Sequence, residues 1–144
     1  MINIKKISAE DTYAIRLEVL RENIPLPYKF NGDFDENTFH LGAFSNNKLI
    51  AVSSFMSMSK TEFKGLQYQL RGMATLQSFH GKGAGKLMVK KAVELLKANS
   101  IDVLWCNARE VAVPFYLKQG FTVVGELFDI EFVGPHYVMK KELK

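Results

Sequence analysis

Hydrophobic and polar positions alternate in short runs along much of this chain, a pattern that predicts a sheet. Runs of strand length predict strands at residues 2–7, 39–45, 48–58 and 66–76. The second and third runs are joined by Asn46-Asn47, a pair that tolerates positive φ. We therefore expect these two strands to form a hairpin with a tight turn.

The strand predicted over residues 66–76 has one polar face. Leu66, Tyr68 and Leu70 alternate there with Gln67, Gln69 and Arg71. Successive side chains of a strand point to opposite faces of the sheet, so the three polar side chains share a face. We expect that face to border a cavity.

Helical periodicity appears between these strands. Ser8, followed three residues later by Asp11, resembles a capping box and predicts a helix through about Leu20, which the Pro25-Leu26-Pro27 segment ends. A second predicted helix begins at Ala84, with an apolar face toward the sheet and a charged face toward solvent. Its predicted sheet side comprises Leu87, Met88, Ala92, Leu95 and Leu96, and its solvent side Lys86, Lys90, Glu94 and Lys97.

The remaining third of the chain continues the alternation. We expect a buried strand at 102–107, a short helix at 112–119 that ends at Gly120, and strands at 121–130 and 133–142. No repeat or low-complexity linker interrupts this order. The pattern predicts a single α/β domain over residues 1–144, and the 47% hydrophobic content is enough to bury a core.

Composition narrows the function classes. There is no apolar run near 18 residues, and the first residues lack the apolar core of a signal peptide, so we expect a cytoplasmic protein that does not act in a membrane. One cysteine excludes an internal disulfide. The net charge is +4 and the pI near 9.1. The lysines are scattered or gathered near one glycine-rich turn, and the aromatic residues lie in apolar contexts, so we expect no nucleic-acid partner.

That turn is the most specific feature of the chain. Residues 80–86 read HGKGAGK and run directly into the second predicted helix. Glycines let the backbone turn several N–H groups toward one point, and the positive end of the helix dipole adds to them, so the turn suits phosphate groups. Four nearby lysines favour more than one phosphate, as in a nucleotide-type cofactor: Lys82, Lys86, Lys90 and Lys91.

Two familiar phosphate-binding motifs do not fit this turn. A P-loop requires glycine where His80 stands and Ser or Thr where Leu87 stands. The dinucleotide fingerprint requires a third glycine where Lys86 stands, and it normally follows the first strand of a fold. Neither motif is therefore expected here.

The turn resembles the acetyl-coenzyme A loop of the Gcn5-related N-acetyltransferases, the GNAT family, in which Gln or Arg is followed by two residues, Gly, one residue, and Gly or Ala. The chain departs from this pattern at His80, which stands in place of Arg or Gln. A second segment, AREVAVPFYLKQGF at 108–121, is similar to another family segment, and the ending GPHYVMKK is similar to small bacterial ElaA-like members. The resemblance implies a mixed, mostly antiparallel sheet of six or seven strands flanked by helices, with the fourth and fifth strands splayed apart.

The resemblance also implies a site. In the family, the pantetheine arm of the cofactor lies between the splayed strands, backbone amides bind the pyrophosphate, and an amide near Ala74 serves the oxyanion. A helix tyrosine, matched by Tyr116, donates a hydrogen bond toward the leaving thiolate. Arg109 stands where many members have Asn. The implied cofactor-binding residues are Met73, Ala74, Thr75, His80, Gly81, Lys82, Gly83, Ala84, Gly85, Lys86, Asn107, Arg109 and Tyr116.

Acetylation of an amine also requires a base, since a lysine-like amine is almost fully protonated at neutral pH. No carboxylate occupies the polar face of the strand at 66–76. His136 after a rigid Gly-Pro turn is the favoured base, with a structural turn histidine as the alternative reading. The remaining candidates are Glu126, Asp129 and Glu131.

Other reactive residues have simpler interpretations. Cys106 follows three apolar residues and has no paired base, so we expect a buried thiol and not an acyl-carrying nucleophile. The three histidines at 40, 80 and 136 are too dispersed for a metal motif, and we expect no metal.

The sequence thus predicts an acetyl-coenzyme A-dependent N-acetyltransferase in which a primary amine attacks directly in a ternary complex. The amine belongs to a small molecule or to a protein, and the protein is a monomer or a homodimer. The alternative is a non-catalytic acyl-coenzyme A-binding domain. Turnover distinguishes the two.

Overall fold

Seven strands form one mixed sheet in the computed structural model, which describes residues 1–144. The strands are β1 (Ile2–Ile7), β2 (Phe39–Ser45), β3 (Lys48–Ser57), β4 (Gln67–Thr75), β5 (Val103–Arg109), β6 (Thr122–Ile130) and β7 (Gly134–Glu142). Their order across the sheet is β1-β2-β3-β4-β5-β7-β6. Only β4 and β5 pair in parallel, as the crossover between them requires. The predicted fold class is confirmed, and the strands follow one another along the chain as predicted.

Three α-helices accompany the sheet: α1 (Ala9–Ile15), α2 (Ala84–Ala98) and α3 (Val113–Lys118). The predicted capping box at the start of α1 is present, because Ser8 Oγ accepts from the Asp11 amide and the Asp11 carboxylate accepts from the Ser8 amide. The helical segment ends at Leu20, as predicted, but its geometry changes within the segment. The regular α-helix ends at Ile15 and the chain continues to Leu20 as a π-helical segment. No helix is both long and apolar enough to cross a membrane.

The main core lies between the sheet and α2. Met88, Ala92 and Leu96 are buried, as predicted, whereas Leu87 and Leu95 are only half-buried and Val89 is buried as well. The predicted outer lysines of the helix are exposed. Helical spacing therefore identified the correct face, and burial of that apolar face holds α2 on the sheet.

The predicted hairpin between β2 and β3 is also confirmed. Asn46 and Asn47 have φ of 50° and 65°, the left-handed values that a two-residue hairpin turn requires. Ser45 pairs with Lys48 directly across the turn.

The parallel pair in the middle of the sheet separates part of the way along. β4 and β5 pair only from Gln67 opposite Val103 to Leu70 opposite Cys106. Beyond these positions β4 continues to Thr75 and β5 to Arg109 without pairing to each other. A wedge-shaped gap therefore opens between the two strands, as the resemblance implied.

A bulge in β4 lies where this gap begins. The register between β3 and β4 shifts between Val52 and Ser54, opposite Gly72, which has φ of +64°. A Cβ atom at Gly72 would also lie 2.9 Å from the ring of Phe30. Only glycine fits this backbone without strain, and bulges increase the local bend of a strand. Gly72 therefore turns the rest of β4 away from β5.

Candidate active site

The gap between β4 and β5 is part of a cavity of about 1120 Å³. Its walls are formed by both splayed strands, the glycine turn, α3, the segment that follows α1, and residues at the start of β7. The volume exceeds the roughly 300–1,000 Å³ of an ordinary small-molecule site. The cavity therefore has room for two reactants side by side.

The glycine turn has the properties that phosphate binding requires. Gly81 and Gly83 have φ of +77° and +88°, and a Cβ atom built on either would meet nothing within 4 Å. No side chain caps α2 at Gly83, so the first N–H groups of this helix have no partner within it. Open space in front of unpaired amides at the positive end of a 15-residue helix fits a pyrophosphate.

The structure brings nearly all the predicted site residues together around this one cavity. Those that line it are Met73, Ala74, Thr75, His80, Gly81, Gly83, Ala84, Gly85, Lys86, Asn107, Arg109, Tyr116 and His136. Lys82 is exposed on the turn and lies outside the wall. Of the three polar side chains predicted on one face of β4, Gln69 and Arg71 line the cavity. Gln67 does not, because its side chain bonds to the backbone of Lys60 and Phe63.

His80 links the glycine turn to the free end of β4. Its Nε2 lies 2.8 Å from the carbonyl oxygen of Thr75, and since a carbonyl can only accept, Nε2 carries the proton. The residue that departs from the family pattern therefore fixes the turn against the strand. This contact places the glycine turn at the Thr75 end of the splayed segment.

Tyr116 is held by aromatic neighbours on the floor of the cavity. Phe115 and Phe121 contact it edge to face, with ring centroids 4.9 Å and 5.3 Å away. A Cβ atom at Gly85 would lie 3.1 Å from Phe115, so glycine allows α3 to pack closely against the start of α2. Tyr116 is only 5% exposed, and this burial raises its pKa well above 10. The phenol therefore remains protonated at neutral pH and is available as a hydrogen-bond donor.

Cys106 lies in the same wall but is poorly suited to act as a nucleophile. The residue is 1% exposed, and burial raises the pKa of its thiol to about 12. The reactive form of cysteine is the thiolate, which is scarce at neutral pH under these conditions. The predicted burial of this thiol is confirmed.

His136 is buried in the cavity wall with a defined orientation. Its Nδ1 lies 2.7 Å from the carbonyl oxygen of Gly134, to which it donates a proton. The neutral ring therefore keeps its basic lone pair on Nε2. The alternative bases Glu126, Asp129 and Glu131 are all exposed and none of them lines the cavity.

Behind Phe30, which lines the cavity, lie buried residues that the sequence analysis missed. Arg16 is completely buried and makes two hydrogen bonds to the carboxylate of Asp33, at 2.8 and 2.9 Å. It also donates to Ser54 Oγ at 2.8 Å and to the Tyr28 carbonyl at 3.0 Å. The guanidinium lies 3.8 Å from the centre of the Phe30 ring. The sequence offered one signal for the burial of Arg16. It stands four residues after Thr12, one helical turn further on, and therefore on the same face of the helix.

Asp33 is ionised in this setting. Burial alone would raise the pKa of its carboxyl, but the hydrogen bonds from Arg16 and the Phe30 amide, with the charges of Arg16 and His40, outweigh it and lower the pKa. The pair fixes the segment between α1 and β2, which contributes Phe30 to the cavity wall.

Two further cations contact the same ring. Arg71 on β4 lies 4.5 Å from the centre of Phe30, and Arg21 lies 5.6 Å from it. Both residues, together with Lys29, line the cavity. We call Arg21, Lys29 and Arg71 the cationic end of the cavity. The structure contains no group of three or more His, Cys, Asp or Glu side chains placed to bind a metal.

Comparison with known proteins identifies the family of the chain. The model of the acetyltransferase (GNAT) family matches residues 4–121. The uncharacterized N-acetyltransferase YitI of Bacillus subtilis (strain 168) is 39% identical to this chain. The match covers 100% of this chain and 98% of YitI. A 24% identical putative acetyltransferase, BSU40680, comes from the same organism and covers 98% of this chain and 97% of its own.

Solved structures share the fold at lower identity. Escherichia coli ElaA superimposes with a TM-score of 0.81 at 18% identity, covering 99% of this chain and 100% of its own. An acyl-CoA N-acyltransferase from Pseudomonas aeruginosa gives 0.79 at 19% identity, covering 98% and 99%. Both the family resemblance and the similarity to ElaA are thereby confirmed. The chain belongs to the GNAT family of acetyltransferases, which transfer acyl groups from acyl-coenzyme A donors.

Proposed function

We propose that the protein is an acetyl-coenzyme A-dependent N-acetyltransferase in which a primary amine attacks the donor directly in a ternary complex. The observation that carries this proposal is the single cavity between β4 and β5. One end has unpaired helix amides at the glycine turn, and its walls contain a protonated tyrosine and a histidine with a free ring nitrogen.

The donor would occupy the glycine turn and the splayed strands. Amides from Gly81 to Lys86 would bind the pyrophosphate, and the unpaired edge of β4 at Met73 and Thr75 would bind the pantetheine arm. Asn107 and Arg109 face the same gap from β5. When bound, acetyl-coenzyme A supplies an activated thioester, and an amide near Ala74 would donate to the oxygen of its carbonyl.

His136 would take the proton from the attacking amine. Its Nδ1 is committed to the Gly134 carbonyl, so Nε2 is the nitrogen that accepts, either directly or through one water. A cavity with several cations also favours the neutral form of the amine, because a positive charge there is repelled.

Tyr116 would stabilise the leaving sulfur. Its pKa is raised by burial, so complete proton transfer to a thiolate is unfavourable and the phenol acts as a hydrogen-bond donor while the C–S bond breaks. The aromatic contacts to Phe115 and Phe121 fix the direction of this donor.

A titration of the wild-type protein with acetyl-coenzyme A, compared with Gly83→Glu, tests the donor site. The variant introduces a side chain and a negative charge in front of the unpaired amides, so we expect micromolar binding by the wild type and a loss of at least tenfold in the variant. Gly125→Glu is the matched control. Gly125 has φ of +81° and equally open surroundings, but it does not line the cavity.

The outcomes separate the candidate functions. No binding by the wild type would refute the proposed donor site. Binding with no transfer to any amine, in a screen scored by release of coenzyme A, would favour a non-catalytic acyl-coenzyme A-binding protein. Equal weakening by Gly83→Glu and Gly125→Glu would mean that backbone strain, and not the pyrophosphate site, explains the loss.

A further inference from the structure

The charges around the cavity are all of one sign. Its lining contains five permanent cations and no aspartate or glutamate. Lys86 lies beside the glycine turn and Arg109 on the unpaired part of β5, where the phosphates and the pantetheine arm of the donor account for them. The cationic end, formed by Arg21, Lys29 and Arg71, remains without an anionic partner.

Arg71 is the least compensated member of this end. It is half-buried, and no carboxylate lies within ion-pair distance of its guanidinium. Its side chain makes one weak hydrogen bond, from Nη1 to Met56 Sδ at 3.9 Å. Burial and the charge of Arg16 lower the pKa of its guanidinium, and the charge of Asp33 offsets this only in part.

The nearby carboxylate of Asp33 attracts Arg71 through space, but its hydrogen bonds go to other groups. Both of its oxygens accept hydrogen bonds from Arg16, and one also accepts from the Phe30 amide. Three guanidinium groups therefore surround the Phe30 ring with one carboxylate among them. Two positive charges are left over beside the cavity.

The geometry of Arg71 suits a planar anion. Its guanidinium lies 4.5 Å from the centre of the Phe30 ring, and apart from the weak bond from Nη1 to Met56 its N–H groups have no protein partner at the cavity wall. Such a fork binds a carboxylate through two parallel hydrogen bonds. Apolar residues of the same wall, Val19, Ile24 and Leu26, are placed to contact a hydrocarbon side chain.

From these observations we propose that the acceptor is a small amine that also carries a carboxylate, of the amino-acid type, with the carboxylate bound by Arg71 at the cationic end. This inference rests on the proposed function. A dicationic polyamine would bring further positive charge to a wall without carboxylates. An amino acid supplies the missing negative charge.

The transfer step is balanced. The amine lone pair forms the N–C bond to the acetyl carbonyl carbon, the C–S bond breaks, and the electron pair leaves on sulfur. The ammonium proton is lost before attack, and the second amine proton passes to His136 or water. The sulfur ends protonated as free coenzyme A, and the other product is an N-acetyl amino acid.

Matched acceptor pairs that differ only in the carboxylate provide the test. We would measure kcat/KM with saturating acetyl-coenzyme A for L-phenylalanine against phenethylamine, L-leucine against isoamylamine, and L-lysine against cadaverine. Release of coenzyme A is followed with a thiol reagent, since Cys106 is 1% exposed and contributes little signal. We expect the carboxylated member to be favoured about tenfold or more in at least one pair.

Substitution of Arg71 assigns this preference to a residue. Arg71→Gln should remove it mainly through a higher KM, and Arg71→Lys should retain part of it, because lysine keeps the charge but not the fork. Affinity for acetyl-coenzyme A should remain at the wild-type level in both. This readout distinguishes a binding role from a loss of folding.

Several outcomes would overturn the inference while leaving the proposed function intact. One is that the decarboxylated amines react as well as or better than their carboxylated partners. Another is that the preference for the carboxylated amine persists in both Arg71 variants. If no pair reacts in a protein that binds acetyl-coenzyme A, titration of N-acetyl-L-phenylalanine and N-acetylphenethylamine with coenzyme A present decides. Equal or absent binding of these products overturns the inference. Failure to bind acetyl-coenzyme A at all refutes the donor site instead.

Discussion

At the residue scale, His80 shows how a departure from the family pattern is accommodated. Its Nε2–H group donates to the Thr75 carbonyl and fixes the glycine turn against β4. We expect His80→Ala to weaken acetyl-coenzyme A binding about fivefold, the equivalent of one ordinary hydrogen bond of ~1 kcal/mol. His80→Gln is the control, because a glutamine amide keeps a donor and matches the family pattern. Calorimetric titration of both variants measures the effect, and wild-type affinity in His80→Ala would contradict it.

Substitution of Tyr116 should affect the rate of the reaction and not the binding of acetyl-coenzyme A. Removal of its hydroxyl in Tyr116→Phe leaves the packing with Phe115 and Phe121 intact but removes the donor that we propose for the leaving sulfur. We expect kcat to fall about 100-fold with little change in acetyl-coenzyme A affinity. Tyr137→Phe makes the same chemical change outside the cavity wall and should retain activity. Equal rates for Tyr116→Phe and the wild type would exclude the tyrosine from the reaction.

At the scale of elements, local signals were the ones that the sequence could predict. The Asn46-Asn47 turn, the capping box of α1 and the apolar face of α2 each depend on residues close together in the chain, and all three were predicted correctly. The bulge at Gly72 depends on its contact with Phe30, far away in sequence. For the same reason Arg21 and Lys29 were missed, although Arg71 was expected to face a cavity, since the three meet only after the segment between α1 and β2 folds onto the sheet.

The buried pair that fixes this segment should be important for stability. Asp33→Asn leaves the fully buried Arg16 guanidinium without its counter-charge, and we expect the free energy of unfolding to fall by about 3 kcal/mol. Asp35→Asn makes the same substitution at an exposed position and should change it by less than about 0.5 kcal/mol. Urea unfolding provides the measurement.

The dependence of this difference on pH follows from Asp33. Its folded-state pKa is lowered, so the stabilisation is present above the unfolded pKa, near 3.9, and is lost as the pH falls through the folded value. The difference in unfolding free energy between the wild type and Asp33→Asn should therefore become smaller below about pH 4. If this difference in unfolding free energy stayed constant into strong acid, the carboxylate charge would not be what stabilises the segment.

At the scale of the whole molecule, the buried thiol of Cys106 in the cavity wall should make the free energy of unfolding depend on pH in the alkaline range. Cys106 has a pKa raised to about 12 by burial, whereas a thiol in the unfolded chain titrates near 8.5. Between these values the unfolded state has lost a proton that the folded state keeps, so the free energy of unfolding falls as the pH rises, by about 1.4 kcal/mol per pH unit for this group. Tyr116 adds a similar loss only above pH 10, because its unfolded pKa is higher.

Cys106→Ala isolates this contribution. The substitution removes a buried atom and should lower stability by an amount that does not depend on pH, while its unfolding free energy should decline less steeply than that of the wild type between pH 9 and 10, by about 1 kcal/mol over that interval. Urea unfolding under reducing conditions at pH 8, 9 and 10 provides the measurement. Parallel declines in the two proteins would mean that the thiol ionises as readily in the folded state as in the unfolded chain. Cys106 would then have to be reconsidered as a nucleophile in the cavity wall.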